Sequence, residues 1–405
     1  MHFALENPLV NPLVSFLVPD IGAPTIGAAV KLARMLEPDY RTEIIGPDFG
    51  RGICSLYRNA YPFHSVPAGR LYRLPDYWWE RARLAGHVKG DLVVAVKAFA
   101  TTVPVALALK RKRGVPVAVY LDEWDGALWA ALSGREKWRT IRRHAHHPAE
   151  ACYLPWVEGM LSKADQVWST TTWLQRRFGG EIVHAGVDGR RFQPQDRQAV
   201  SALRDRLGLA GKKVIVFGGV VRPHKGVEEI LAALRRLRRD DIRLLVVGPV
   251  TEHLEAMMRD SNVKNLIVVA GDAVHAATSL NADIHRQMPL YLDVGDMVVL
   301  PLQRTMLAES QMPIKVFEAL AMAKPVIGTA VSDLPLMLEG CGLVVAAGDV
   351  DALAQAIARV ADNPDEASRM GQAARRRCVE LYDVDVVRRQ LLERVRHLLG
   401  VGAES

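Results

Sequence analysis

Short, almost continuous apolar runs alternate along the chain with longer amphipathic segments. Runs of this kind are typical of strands buried on both faces of a parallel sheet. Apolar residues at intervals of three or four between the runs predict helices, as at 103–113. The predicted strands lie at 13–18, 42–45, 91–96, 115–121, 214–217, 244–248, 266–271, 298–300 and 326–328. This alternation predicts an α/β fold with doubly wound parallel sheets.

The length of the chain and one polar stretch predict its domain organisation. With 405 residues the chain can form two or three domains of ordinary size. The polar stretch 193–197 and the helical segment 199–207 place an interdomain linker within 186–211. We predict a Rossmann-like domain over 1–200, a second over 201–380 and a C-terminal helical segment over 381–405.

The chain is basic, with a net charge of +7. A positive balance favours anionic partners, which can be phosphates, nucleic acid or an acidic membrane face. Nucleic acid is the weakest of these, because no aromatic-rich RNA motif or zinc-finger spacing accompanies the charge. We therefore predict no nucleic-acid partner.

Cysteine usage and hydropathy indicate a cytoplasmic protein without a metal site. The four cysteines are far apart and show no Cys-x-x-Cys spacing, so we expect buried thiols. The acidic pairs Asp349/Asp351 and Asp383/Asp385 fit a helix cap and surface charge better than metal ligation. No apolar run approaches the roughly 18 residues of a membrane span, and the N-terminus lacks a signal sequence.

A loop, a helix and then a strand are predicted for the stretch 309–328, which reads E-S-Q-M-P-I-K-V-F-E-A-L-A-M-A-K-P-V-I-G. Pro313 suits the start of the helix, where its missing N–H is no loss. Ile314, Phe317 and Leu320 then recur at helical spacing. A loop that leads into a helix at the carboxyl end of a parallel strand is where α/β sheets bind anions.

A second anion-binding loop is predicted after the strand at 214–217. Gly218 and Gly219 let the backbone approach a phosphate closely. Arg222 and Lys225 follow and supply two cations that can neutralise a diphosphate. The alternative is that both cations are ordinary surface charges.

These two loops resemble the donor site of retaining GT-B glycosyltransferases of glycosyltransferase family 4. The family's Pro-x-Lys-x-x-Glu core is matched by Pro313, Lys315 and Glu318, and the downstream K-P-V-I-G matches too. A passage that closes the first half is also similar, with matches at Asp165, Ser169, Gly186, Val187, Asp188 and Phe192. The resemblance implies two Rossmann-like domains that face a central cleft, with a last helix that crosses back to the first domain.

The resemblance also implies roles for individual residues. Arg222 and Lys225 would hold the diphosphate and Glu318 would bind the ribose hydroxyls, so these three are the predicted catalytic residues. The implied donor-binding positions are Gly22, Gly218, Gly219, Gly271, Asp272, Ser310, Met312, Pro313, Ile314 and Lys315.

One departure from the family concerns its first glutamate, which contacts a sugar hydroxyl. Counted back from Glu318, that position falls on Ser310, whereas Glu309 lies one residue early. We predict that backbone N–H groups and Ser310 serve the hydroxyl. The alternative is that Glu309 contacts the sugar through a shifted loop.

Two features of the first half each leave two interpretations open. Asp122, Glu123 and Asp125 follow the strand at 115–121, where they could bind the donor sugar or acceptor, or cap a helix. The family often has a histidine at this place, which this chain lacks. The loop at Gly22 could approach a ligand or could permit close packing of a helix on a strand.

The segment 133–147 is basic and contains aromatic and apolar side chains, including Trp138 and Ile141. Such a segment can lie on an anionic membrane surface, but it can equally be a solvated basic face. Its three histidines, His144, His146 and His147, fit polar surface better than a metal site. The sequence does not decide between exposure and acceptor binding for Tyr77, Trp78 and Trp79.

The resemblance implies a retaining glycosyltransferase that moves a sugar from a nucleotide-diphosphate sugar to an acceptor hydroxyl. The donor would be a co-substrate, and no cofactor is expected. The acceptor would be a glycan, a lipid-linked molecule or a small molecule, and the enzyme would work in the cytoplasm or at the inner membrane face. The alternatives are a non-catalytic nucleotide-sugar-binding subunit and a nucleotide-sugar epimerase.

Overall fold

The computed structural model describes residues 11–68, 73–259, 265–269 and 282–401. The chain forms two compact units. Unit 1 comprises Met1–Ala185 and Val387–Ser405, and unit 2 comprises Gly186–Val386.

Unit 1 is built on a parallel sheet in which the described residues form seven strands, in the order β3-β2-β1-β4-β5-β6-β7. The strands are β1 (Leu13–Leu17), β2 (Arg41–Asp48), β3 (Phe63–Pro67), β4 (Leu92–Val96), β5 (Val117–Leu121), β6 (Gln166–Ser169) and β7 (Glu181–Ile182). The helices are α1 (Ile26–Leu36), α2 (Tyr77–His87), α3 (Val103–Arg113), α4 (Ala127–Ala131), α5 (Gly134–His144), α6 (Leu154–Glu158) and α7 (Thr172–Phe178). Every residue of β4 and β5 is buried, as their continuous apolar runs predict.

Unit 2 contains a second parallel sheet, in which six strands are described, in the order β10-β9-β8-β11-β12-β13. The strands are β8 (Lys213–Gly218), β9 (Ile242–Val247), β10 (Leu266–Val269), β11 (Met297–Leu300), β12 (Val326–Thr329) and β13 (Gly342–Val345). The helices are α8 (Arg197–Arg206), α9 (Val227–Leu237), α10 (Glu252–Arg259), α11 (Ala282–Val294), α12 (Met306–Ser310), α13 (Ile314–Ala321), α14 (Leu334–Leu338), α15 (Val350–Asp362) and α16 (Pro364–Leu381).

The last helix, α17 (Val384–Leu399), begins in the final residues of unit 2 and continues in unit 1. Within unit 1, Arg388 Nε donates a hydrogen bond to the Met35 carbonyl at 3.0 Å. Arg394 Nη2 donates to the carbonyl of Ile182 in β7 at 3.3 Å. The C-terminal segment is therefore part of unit 1.

The predicted fold class is confirmed, although the boundaries predicted after residues 200 and 380 differ from the observed division. Helix α8 belongs to unit 2, because the Gln195 N–H just before it donates to Asp293 Oδ2 at 2.6 Å. At the other end, the Val187 N–H donates to the Tyr382 carbonyl at 3.0 Å. Because Val187 belongs to unit 2, this bond connects the residues just after α16 to unit 2 as well.

Candidate functional site in unit 2

Two loops of unit 2 meet at the carboxyl edge of its sheet, where the strand order reverses between β8 and β11. The backbone of Gly226, after β8, lies so close to the Pro301 carbonyl that a Cβ would overlap it. The Gln303 N–H after β11 donates to the His224 carbonyl at 3.0 Å. A reversal of strand order opens a crevice at which α/β folds bind ligands.

Gly219 brings a side chain from a distant helix against the loop after β8. Its φ is +106°, a conformation that side chains with a Cβ rarely adopt. A Cβ at this position would lie 2.6 Å from both Cε and Nζ of Lys315, in the first turn of α13. The absence of a side chain therefore leaves room for the Lys315 ammonium.

Lys315 is the third cation of a cluster that also contains Arg222 and Lys225. Burial lowers the pKa of the Lys315 ammonium, the carboxylate of Glu318 raises it, and Arg222 lowers it further. Lys225 is also within reach of the Lys315 side chain. Three cations and one carboxylate at a strand's carboxyl end form a site of net positive charge that suits a diphosphate.

Arg222 and Lys225, the two residues predicted to hold the diphosphate and called the predicted clamp below, differ in exposure. Arg222 is exposed and Lys225 is half-buried in the single 3-10 turn Pro223–Lys225. The Lys225 N–H donates to the Arg222 carbonyl at 2.9 Å, so the turn fixes the spacing of the two side chains. The structure thus places both cations beside Lys315, whose side chain was not part of the predicted clamp.

Helix α13 carries Glu318 three residues after Lys315, so both side chains lie on one face of the helix. Pro313 is the N-cap residue, with φ −66° and ψ 127°. Met312, Pro313 and Ile314 lead the chain into this helix, so the backbone lies where an anion can meet a helix N-terminus. The role of Glu318 in binding ribose stays a prediction.

Glu309 and Ser310 lie in α12, a short helix that replaces the loop predicted at this place. Thr305 starts the helix, because its hydroxyl accepts from the Ala308 N–H at 3.1 Å. Glu309 Oε2 accepts from the Ser332 N–H at 2.9 Å. Ser310 is buried and its hydroxyl donates to the Leu307 carbonyl at 3.0 Å. Both candidate sugar contacts therefore have partners within unit 2.

Four other predicted donor-binding positions are placed as follows. Gly218 is the last residue of β8. Gly271 and Asp272 lie outside the described residues. Gly22 lies in the loop between β1 and α1 of unit 1, where its N–H donates to Asp20 Oδ1 at 2.8 Å. A Cβ at Gly22 would lie 3.0 Å from the Gly52 carbonyl, so close packing of two loops already accounts for this glycine.

A buried lysine of unit 1 organises the acidic cluster after β5. Lys97 follows β4 and is 1% exposed, and its Nζ lies 2.6 Å from Glu123, 2.9 Å from Asp125 and 3.2 Å from Asp122. Its φ is +68°, which is uncommon for a residue with a side chain. Of the two interpretations, the helix cap does not apply to α4, because Gly126 is its N-cap residue and no side chain caps the helix.

The acidic cluster has an unusual protonation equilibrium. Burial raises the pKa of Asp125 to about 7, Lys97 opposes this shift, and Glu123 and Asp122 add to it. One lysine faces three carboxylates, so a proton on Asp125 relieves repulsion between them.

The raised pKa of Asp125 predicts a pH dependence of stability. The folded state holds this proton up to about pH 7 whereas the unfolded state releases it near 3.8, so the contribution to stability decreases as the pH rises through this window. We therefore expect the free energy of unfolding of Asp125→Asn, relative to that of the natural protein, to be higher at about pH 8 than at about pH 5. Urea unfolding at both pH values measures this. Asp351→Asn, on the exposed face of α15, is the control, and an equal pH dependence in both variants would contradict the assignment.

The two doubly wound parallel-sheet units have the architecture of the GT-B fold. Residues 211–363, which lie within unit 2, match the family described as Glycosyl transferases group 1. The family match thus covers the part of unit 2 that runs from β8 to α15.

Comparison with known proteins gives several relatives. The chain is 29% identical over 270 residues to a GDP-mannose-dependent alpha-(1-6)-phosphatidylinositol monomannoside mannosyltransferase of Mycolicibacterium smegmatis, which covers 62% of this chain and 68% of that protein. It is 24% identical over 280 residues to the alpha-D-kanosaminyltransferase of Streptomyces kanamyceticus, which covers 66% of each. The chain thus spans about two thirds of the length of these relatives.

A solved structure shows the same fold. The crystal structure of Anabaena HepE in complex with UDP and glucose superposes with a TM-score of 0.71, 15% identity, and coverage of 96% of this chain and 100% of that one.

Among the described residues, no helix of this protein is both long and apolar enough to span a membrane.

Proposed function

We propose that the protein is a retaining glycosyltransferase that transfers a sugar from a nucleotide-diphosphate sugar to an acceptor hydroxyl. The observation that carries this proposal is the convergence of Arg222, Lys225 and Lys315 at the loop after β8, with Glu318 on the same helix face as Lys315. A diphosphate needs several cations, and a ribose diol needs an acceptor such as a carboxylate.

In the proposed reaction the protein positions the reactants and stabilises charge on the leaving group. The bond between the sugar C1 and the diphosphate oxygen breaks, and a new bond forms between C1 and the acceptor oxygen on the same face of the ring. The acceptor proton passes to the departing diphosphate. The three cations stabilise the negative charge that develops there, and no cofactor takes part.

The related proteins support the choice of donor. The Mycolicibacterium smegmatis relative is named as GDP-mannose-dependent, and HepE was solved with UDP and glucose. We therefore propose a nucleoside diphosphate sugar as donor, with GDP-mannose and UDP-glucose the first to test.

We further propose that the enzyme works in the cytoplasm, at the inner face of the membrane.

A donor panel with product analysis tests the proposal. We expect one nucleotide-sugar to release nucleoside diphosphate faster when an acceptor extract is added, and NMR of the product to show the anomeric configuration of the donor. An inverted configuration would contradict the retaining mechanism. Tight donor binding without turnover would instead indicate a binding subunit, and conversion of the donor to an epimer without acceptor would indicate an epimerase.

The two glutamates of the donor region are expected to differ in their effect on activity. Glu309→Gln should lower kcat/KM less than tenfold, or by under about 1.4 kcal/mol, because this carboxylate accepts from the Ser332 N–H. Glu318→Gln should lower it more, since an amide NH₂ cannot accept from a ribose hydroxyl. Steady-state kinetics of both variants measure this, and a hundredfold loss in Glu309→Gln would contradict it.

A further readout separates ribose binding from a structural role for Glu318. Glu318→Ala should weaken nucleotide binding by about 1.5–3 kcal/mol, as for a lost charge-assisted hydrogen bond. It should weaken binding of a 2′,3′-dideoxy analogue far less. Equal losses for both ligands in calorimetry would place Glu318 away from the ribose.

A further inference from the structure

Helix α5 is amphipathic and keeps its apolar face in solvent. All eleven of its residues are exposed or half-buried. Trp138 and Ile141, at a spacing of three, are 60% and 45% exposed. A helix usually gains its stability by burying such a face. Here a capping box between Ser133 and Glu136 secures the helix N-terminus instead, which leaves the apolar face available to a partner.

The polar side of α5 is strongly basic. The helix contains five arginines and lysines and one glutamate, which gives a charge of +4. Arg135, Arg139 and Arg142 recur at intervals of four and three, next to the row that contains Trp138 and Ile141. The Arg142 guanidinium lies 5.4 Å from the Trp138 ring centroid. A tryptophan flanked by arginines suits the boundary between water and lipid.

The start of helix α2 adds a pair of exposed tryptophans close to the end of α5. Trp78 is 51% exposed and Trp79 is 78% exposed. The Leu74 N–H, shortly before α2, donates to the carbonyl of His146, shortly after α5, at 2.8 Å. This bond brings the start of α2 close to the end of α5. We define the aromatic–basic surface as Trp78, Trp79, Trp138 and Ile141 with Arg139 and Arg142.

The aromatic–basic surface lies near the carboxyl edge of the unit 1 sheet. The Tyr77 hydroxyl, at the first residue of α2, donates to the carbonyl of Ala100, in the loop after β4, at 2.9 Å. The loops at this edge are where α/β folds bind their ligands. A partner bound to the aromatic–basic surface would therefore lie close to the edge of unit 1 at which such folds bind ligands.

We propose that the aromatic–basic surface binds a membrane that contains anionic phospholipid, and that the acceptor is a lipid of that membrane. The second part rests on the proposed transferase function. Tryptophan rings and Ile141 enter the interfacial region, and the arginines contact lipid phosphates. The positive charge matches an anionic surface. Nucleic acid fits less well, because a protein that contacts only phosphates would leave the exposed Ile141 side chain without an apolar partner.

Vesicle binding tests the surface independently of catalysis. We expect the protein to co-sediment with vesicles of phosphatidylcholine and phosphatidylglycerol much more than with phosphatidylcholine alone, and to dissociate at high salt. Arg139→Glu, Arg142→Glu and Arg143→Glu together should weaken binding by about a hundredfold. Trp78→Ser with Trp79→Ser should weaken it even at low salt.

A matched control carries the same change of charge elsewhere. Arg206→Glu, Arg235→Glu and Arg376→Glu alter exposed arginines of unit 2 and should leave vesicle binding within a factor of about three. Equal losses in the two triple variants would overturn the proposed surface. So would absent vesicle binding, or binding to single-stranded RNA that the Arg139, Arg142 and Arg143 changes abolish while vesicle binding persists.

Two further measurements distinguish failure of this inference from failure of the proposed function. Nucleotide binding by calorimetry should be unchanged in the Arg139, Arg142 and Arg143 variant, because these residues lie in unit 1. With the donor identified by the panel, labelled sugar should enter the organic phase of vesicles made from a bacterial polar lipid extract. Label that remains in the aqueous phase, with donor turnover intact, would overturn the lipid acceptor and leave the transferase function standing.

Discussion

Arg222→Ala and Lys225→Ala are each expected to lower kcat/KM by roughly 30- to 1,000-fold, or about 2–4 kcal/mol. The reason is that each side chain belongs to the cation cluster around Lys315, whose charge is already disfavoured by burial. Removing one member leaves the developing charge of the diphosphate less stabilised in the transition state. Steady-state kinetics with the identified donor measure the loss.

The effect should be specific for these positions. Arg235→Ala, on an exposed turn of α9 in the same unit, is the control and should change kcat/KM less than about twofold. The double variant Arg222→Ala/Lys225→Ala should lose less than the sum of the two single losses, because the residues act on one group. Unchanged kcat/KM in both single variants would refute the assignment of the clamp.

Lys97→Met is expected to destabilise unit 1 by about 3 kcal/mol, at the lower end of the range for breaking a buried ion pair. The lysine is 1% exposed and holds Asp122, Glu123 and Asp125, which would be left to repel one another. Partial exposure of Asp122 and Glu123 lets water compensate in part, so the lower end applies. Urea unfolding followed by tryptophan fluorescence measures the change.

Lys110→Met is the matched control for Lys97→Met. Lys110 pairs with Asp165 at 2.7 Å, but both side chains are 34% exposed, so its loss should cost less than about 1 kcal/mol. Adding Asp125→Asn to Lys97→Met should recover part of the stability, because one of the three repelling carboxylates is removed. If both lysine variants were equally stable, the buried cluster would not contribute as we infer.

Much of the fold could be predicted because buried parallel strands leave a direct pattern in sequence. β4 and β5 are apolar at every position, and helix α3 was predicted at its observed bounds. β3 was missed because its residues, F-H-S-V-P, are mostly exposed or half-buried and carry no apolar run. Helix α12 was missed because five residues are too few to show a helical period, and its start depends on one hydroxyl at Thr305.

The candidate site was predictable where its residues are close in sequence. Arg222 and Lys225 share one turn, and Lys315 and Glu318 share one helix face. The contact between these two groups could not be predicted, because it depends on the meeting of loops far apart in the chain. Lys97 was missed for the same reason, since its carboxylate partners lie more than twenty residues away, on the neighbouring strand's loop.

The contact between Gly219 and Lys315 makes the two positions epistatic, although 96 residues separate them in the chain (315 − 219). Any side chain at 219 would occupy the space of the lysine ammonium, so this glycine is constrained by steric demand as well as by its φ of +106°. If Lys315 were lost, the steric part of the constraint would disappear and the conformational part would remain. A lineage that gave up the lysine would therefore still favour glycine at 219, because a φ of +106° lies beyond the left-handed region near +60° that asparagine adopts.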